Sequence, residues 1–389
     1  MQNYCDLSGK LCLIFSKVSY RDYPLLIQIA ILVSILALCV ITFTLSFIFY
    51  NRTKKQRYKR KADEAESLIL DELNEHLLVY DSITDMPQDE LNSTVRKLNE
   101  LKNKNAIFKE VLVKLLIYYK HNLTGNISRL ITSAYFSLRL NEITLSKLKS
   151  SFWFIKAQGL KELQAIHDYD STESIQLLLK NKNIDVRVEA YATLLKLQTH
   201  LSLNFLKNEK EDLSNWHQIL LFDAITKSEY TEIPDFSYFL ASQNKTIVIL
   251  SIKLLLHYKQ FKAIPELIKL LAHRDEKIRN ETIYTLGALN AEDAEQKLIS
   301  IYPTERNLNK SQILLALGAI ASGNALNFLR DKFLQADHYT ILKSATAAIM
   351  SHPVALKEKI LESLNDIDEE QRAIIKHFED PLIKLHGIR

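Results

Sequence analysis

Eleven histidines and three cysteines are the side chains with which this 389-residue sequence could build a metal site or a nucleophilic centre. A helical zinc or iron site needs ligands at fixed short spacings, as in H-E-x-x-H, because a step of four residues returns two side chains to one helical face. No histidine here is followed by a glutamate, and nothing resembles H-E-x-x-H. The cysteines are Cys5, Cys12 and Cys39, so residues beyond 39 hold no thiolate nucleophile, disulfide or thiolate metal site. No G-x-S-x-G elbow occurs, and no two glycines lie within four residues of each other, which excludes a glycine-rich phosphate loop. The expectation is therefore no catalytic residue, no metal and no cofactor. The one dense charged cluster is Arg52, Lys54, Lys55, Arg57, Lys59, Arg60 and Lys61. Such a run suits nucleic-acid phosphates, a nuclear address or the head groups beside a membrane span.

What lies next to that run decides between these. Between Asp22 and Arg52 no residue is charged, and about twenty apolar residues suffice to span a bilayer as a helix. The apolar core is far longer than that of a cleaved signal, and no small-x-small cleavage site follows it. Residues 23–51 are therefore expected to be a transmembrane helix, with Tyr23 and Tyr50 at the interfaces. Three basic residues precede the span and seven follow within ten positions, which predicts an outer N-terminus (1–22) and a cytoplasmic C-terminal side. The basic collar 52–61 then reads as a topology determinant seated against anionic lipid. Whether Cys5 and Cys12 pair stays open.

The net charge of +4 divides unevenly. Residues 1–61 carry ten Lys/Arg against two Asp, a net +8, so residues 62–389 carry −4. A phosphate-binding surface is usually strongly basic, so nucleic acid is not expected as a ligand of this large part. Seven glycines and seven prolines leave little turn material for sheets, which points to an all-α fold. Residues 62–150 read as linking helices, with a seam at Leu70, Leu73, Leu77 and Tyr80 and a break at "TDMPQDE" (84–90).

From about residue 151 to 352 the chain repeats itself, and 353–389 read as capping helices. Comparable origins fall at Ile155, Val186, Trp216, Ile247, Ile278, Asn309 and Thr340, spaced 31, 30, 31, 31, 31 and 31. Five and eight residues after each origin every position is apolar, from Leu160 and Leu163 to Ala345 and Ala348. Eleven before the last six stand Ile175, Phe205, Phe236, Leu267, Leu298 and Leu329. Asn183, Asn244, Asp275 and Asp337 precede second helices as capping residues. Each unit thus predicts two antiparallel helices whose apolar stripe is buried by stacking on its neighbours. The histidines His167, His217, His257 and His273 occupy differing positions of this repeat, as scattered surface residues would.

"NIDVRVEAYATLLKL" and "HRDEKIRNETIYTLGAL" resemble HEAT repeats, in which an Asp or Asn precedes a Val/Ile-Arg pair and a small-x-x-x-Leu helix. The resemblance implies an α-solenoid with second helices on its inner curve. It also implies that Arg187 and Arg279, with Asp275, brace the helix pairs; His217, Val248, Lys310 and Ile341 stand in the arginine's place elsewhere. The whole chain is similar to single-span bacterial membrane proteins carrying HEAT repeats, which would place it in a bacterial inner membrane.

The positions pointing away from the core stripe are polar in most units but apolar in the third and fourth. There Ile219, Phe222, Ile249 and Leu250, with Tyr284, are either buried by irregular stacking or form a groove for a partner's amphipathic helix. The function expected is a membrane-anchored scaffold docking a protein partner at the cytoplasmic face. The alternative is a signalling or envelope-assembly component coupling a membrane complex to the cytoplasm, and a helical-repeat enzyme is the remaining reading. An outer segment of twenty-two residues is too short for a ligand domain, which favours the scaffold.

Overall fold

A computed structural model describes residues 24–76, 87–197, 203–228, 232–364 and 367–380. Residues 1–22, with Cys5 and Cys12, lie outside the described residues, as do Leu77 and Tyr80. Every regular element among the described residues is a helix, and the chain divides into two compact units, Met1–Leu140 and Asn141–Arg389.

The first unit is built on α1 (Leu25–His76), 52 residues without interruption. At 1.5 Å per residue it is about 78 Å long. Its apolar first half holds no buried residue, and it is long and apolar enough to cross a membrane. The basic collar continues the same helix with no break at residue 51. Beyond it α1 turns amphipathic and packs on α2 (Gln88–Lys104) and α3 (Ala106–Asn122), and α4 (Gly125–Ser137) packs on α3. The buried seam of α1 is Ala65, Ile69 and Leu73, a four-residue step. Leu70, expected in that seam, is only half-buried. The true stripe begins with an alanine, which is easily passed over when only large residues are counted.

The second unit opens with α5 (Leu140–Leu148) and α6 (Trp153–Ile166). Then come α7 (Thr172–Gln176), α8 (Ile184–Leu197), α9 (Asn204–Asn208) and α10 (Asn215–Thr226). After a 3-10 turn at Phe236–Ala241 follow α11 (Lys245–His257), α12 (Ile264–Leu270), α13 (Glu276–Ala288), α14 (Glu295–Ile301) and α15 (Asn307–Ile320). The unit closes with α16 (Leu326–Leu334), α17 (Tyr339–Met350), α18 (Val354–Glu362) and α19 (Glu369–Glu379).

All seven repeat origins fall in the first turn of a second helix: α6, α8, α10, α11, α13, α15 and α17. The fourteen residues five and eight positions later are buried without exception. That period makes a stacked core, because each stripe is closed by its neighbour rather than by its own unit. The core falls into two clusters that divide at α8, where Val186, Ala190 and Leu194 pack with Leu160 and Leu163 while Val188, Tyr191 and Leu195 belong to the cluster of the later units. The first helices are less regular than two full antiparallel helices. They are short and broken by 3-10 turns, as at Tyr169–Ser171 and Leu177–Lys180 around α7. Phe205 is half-buried rather than core, stacked on Tyr191 at 4.5 Å.

One further local reading is corrected. The cap of α17 is His338, whose ring nitrogen accepts from the Thr340 amide, not Asp337. Close approach is set by two glycines. A Cβ on Gly287 would lie 2.7 Å from the Ala316 Cα, and one on Gly318 would lie 2.5 Å from the Ala348 Cα. The pairs α13–α15 and α15–α17 therefore touch backbone to backbone.

Candidate partner-binding groove

Three successive second helices, α10, α11 and α13, carry the site, and each begins at a satisfied cap. Ser214 and His217 form a reciprocal capping box on α10. Asn244 accepts from the Thr246 and Ile247 amides, and Asp275 from those of Lys277 and Ile278. The Asn244 amide also donates to the Glu209 and Glu211 carbonyls at 3.3 and 2.7 Å, which ties α11 to the preceding unit.

The bracing arginines show one geometry twice. Arg187 donates to Asn181 O at 2.8 Å within its own unit and forks onto both Glu209 carboxylate oxygens at 2.9 Å. Arg279 donates to His273 O at 2.9 Å and forks onto Glu305 at 2.5 and 2.9 Å. Each guanidinium thus joins a turn of its own unit to a carboxylate of the next, a planar fork no lysine could reproduce. Burial pushes the Glu305 carboxyl up, but bonds from Arg279 and Asn309 outweigh it and hold the group below its ordinary value. In the arginine's place on α10, His217 reaches back to Asp185 at 2.8 Å.

Polar pairs link most neighbouring second helices. Lys161 meets Glu189 at 3.8 Å, Lys196 meets Asp223 at 3.2 Å, and Asn280 donates to Asn309 at 2.8 Å. Between α10 and α11, the most lightly packed of these neighbours, the pattern changes. There Phe222 meets His257 edge to face at 5.4 Å. A groove of about 680 Å³ opens here, lined chiefly by Ile219, Phe222, Lys253, Leu256, Glu281 and Tyr284. Ile219 is 60% exposed and Tyr284 50%. Burial pushes the Glu281 carboxyl up, while the Lys253 ammonium opposes that shift.

Of the five residues expected to meet a partner, the structure brings Ile219, Phe222 and Tyr284 to one groove. Leu250 is not among them. It is fully buried, because α11 packs against α10, α13 and the turn at Phe236–Ala241 and so presents little free face. Ile249 is half-buried against the core and does not line the groove. Lys253, His257 and Glu281 were missed. They occupy the same outward repeat positions as the apolar residues, but polar side chains there looked like ordinary solvated surface. The arrangement is an apolar floor with one cation and one partly desolvated carboxylate at its edge, a shape that takes an apolar stripe with a polar border. Among the described residues, no three His, Cys, Asp or Glu side chains converge as a metal set would.

Stacked helix pairs with buried inter-unit stripes and arginine forks define the class as a helical-repeat solenoid. Within that class the chain carries HEAT repeats: the family model of HEAT repeats matches residues 264–351, which run from α12 to the end of α17. No curated protein matches the chain. Solved structures similar to it include human deoxyhypusine hydroxylase in complex with glycerol, at 15% identity over 78% of this chain and 98% of that one, with a TM-score of 0.29. Importin beta is similar at 11% identity over 81% of this chain and 52% of that one, with a TM-score of 0.42. The CpcE and CpcF complex of phycocyanin lyase from Nostoc sp. PCC7120 is similar at 12% identity, covering 71% and 96%, with a TM-score of 0.24. Likenesses this distant carry no argument about activity.

Proposed function

We propose that this chain is a membrane-anchored HEAT-repeat scaffold that docks a protein partner through an amphipathic helix laid into the groove of α10, α11 and α13. The observation that carries the reading is the exposure of Ile219 and Tyr284 beside the half-buried Phe222 around one apolar floor, in an array whose other outward positions are largely polar. Apolar side chains three and four residues apart on a partner helix would meet that floor, and its basic edge would meet Glu281. The apolar half of α1 supports anchorage in a membrane, and the resemblance to single-span bacterial proteins with HEAT repeats supports a bacterial inner membrane. The excess of basic residues at 52–61 supports a cytoplasmic array, with the collar against anionic head groups.

A photo-crosslinking amino acid at position 219 or 284 of the full chain tests the docking. It is expected to trap one protein, with the linked peptide mapping to an amphipathic helix. The same probe at Gln296 or Lys297, on exposed positions of α14, should not trap it. Equal products from both sets of positions, or none from the groove, would overturn the proposal.

A further inference from the structure

Residues 143–161 hold four lysines, Lys147, Lys149, Lys156 and Lys161, and not one acidic residue. In their midst, at the start of α6, stand three consecutive aromatics that no packing absorbs. Phe152 is 58% exposed, Trp153 48% and Phe154 54%. The three form one cluster, with ring centroids 5.5 Å apart for Phe152 and Phe154 and 6.1 Å for Trp153 and Phe154. The core of α6 is made further along by Leu160, Leu163 and Ile166, so the triad is not an extension of the repeat stripe.

The lysines differ in what they are committed to. Lys147 is buried on Glu162 at 2.7 Å, and Lys161 lies 3.8 Å from Glu189. Lys149 is exposed, and among the described residues Lys156 bonds a carbonyl, that of Leu148 at 2.9 Å, and no carboxylate. Clustered aromatic rings beside uncompensated ammonium groups match the lipid–water boundary, where an amphipathic tryptophan ring settles at head-group depth, phenylalanine rings enter the acyl boundary below it and cations meet anionic lipid. A protein surface would supply carboxylates for Lys149 and Lys156 only by chance. A bilayer, by contrast, is kept near by α1, and such a tether raises the local concentration of a weak second contact.

We propose that Phe152, Trp153 and Phe154, with Lys149 and Lys156, form a peripheral contact with an anionic lipid surface, separate from the α1 span and its collar. This rests on the membrane anchorage proposed above. It makes the start of the repeat array a second membrane attachment, leaving the groove of α10, α11 and α13 free for its partner.

The chain contains two tryptophans, Trp153 and Trp216, which makes the contact directly readable. The full chain is reconstituted into phosphatidylcholine vesicles with and without phosphatidylglycerol, their acyl chains brominated near the head groups. In the Trp216→Phe variant, the remaining Trp153 emission should shift to the blue and be largely quenched when phosphatidylglycerol is present. Charge reversal by Lys149→Glu with Lys156→Glu should restore the emission. In Trp153→Phe, the exposed Trp216 should stay unquenched in both vesicle types. A chain that floats with the vesicles while Trp153 stays bright would overturn this inference and leave the anchorage standing. Equal quenching of both tryptophans would also overturn it, since that is non-specific adsorption. Failure to float at all would remove the anchorage, and this inference with it.

Discussion

Ile219 and Leu250 occupy the same position of the repeat, three residues after their origins, yet aspartate should act oppositely at the two. Leu250 is fully buried on α11, whereas Ile219 is 60% exposed on the groove rim. Removing a buried leucine side chain costs about 2–5 kcal/mol, of which part is the cavity left behind. An unpaired carboxylate in that cavity adds a desolvation cost of roughly 1–3 kcal/mol even when it takes up a proton to stay neutral. Leu250→Asp should therefore cost about 4 kcal/mol or more, a large share of a typical domain's stability. Ile219→Asp should stay within about 0.5 kcal/mol, as surface changes usually do. Because an array of repeats need not unfold as one unit, a single melting temperature is a blunt reading. Amide hydrogen exchange resolves it: Leu250→Asp should lose protection across α11 and in the adjoining α10 and α13, because stability is shared between neighbours. Ile219→Asp should keep wild-type protection while the groove crosslink disappears. If Leu250→Asp exchanged like the parent, the burial of α11 would be refuted.

Gly318→Ala should destabilise, although alanine favours a helix by about 1 kcal/mol over glycine. The new Cβ meets Ala348 backbone at 2.5 Å, and overpacking of this kind costs about 1–3 kcal/mol, so a lower denaturation midpoint in urea is expected. Arg279→Ala should cost about 3–5 kcal/mol, because Glu305 is left buried without its fork; the double change with Glu305→Gln should recover part of it, measured as a double-mutant cycle. Glu189→Gln should alter the pH dependence. Burial raises the Glu189 carboxyl above its ordinary 4.5, against Lys161 and Lys196, so its stabilising contribution is present below that value and lost as pH rises through the folded value. The variant should therefore be at least as stable as wild type near pH 7 and lose that advantage on acidification, as melts across pH would show.

Much of the architecture was legible because it is periodic. Fourteen apolar residues at two repeat offsets predicted a stacked core, and burial follows those offsets without exception, since a helical stripe must be closed by its neighbour whatever the surrounding detail. Arg187 and Arg279 were found through the resemblance of their segments to HEAT repeats, and the structure shows each guanidinium bound to a turn carbonyl before it and to a carboxylate of the next unit. The acceptors themselves were not legible. Glu209 and Glu305 lie 22 and 26 residues beyond their arginines, and only the irregular first helices decide which carboxylate arrives.

The groove divides along the same line. Composition and period were enough to mark α10 and α11 as unusually apolar on their outward faces. They could not say which residues face out, because exposure is a property of neighbours. Leu250 and Ile219 share a repeat position and differ only in what packs around them. Lys253 and Glu281, polar and spaced like ordinary surface residues, join the groove because α11 and α13 lie side by side. What the order of residues determined by itself was therefore the all-helical class, the repeat and one long apolar helix, all of which depend on local spacing along the chain. Which apolar faces stayed open, which carboxylate met each arginine, and where backbone touched backbone at Gly287 and Gly318 were decided only by tertiary packing, since each depends on residues about thirty positions away.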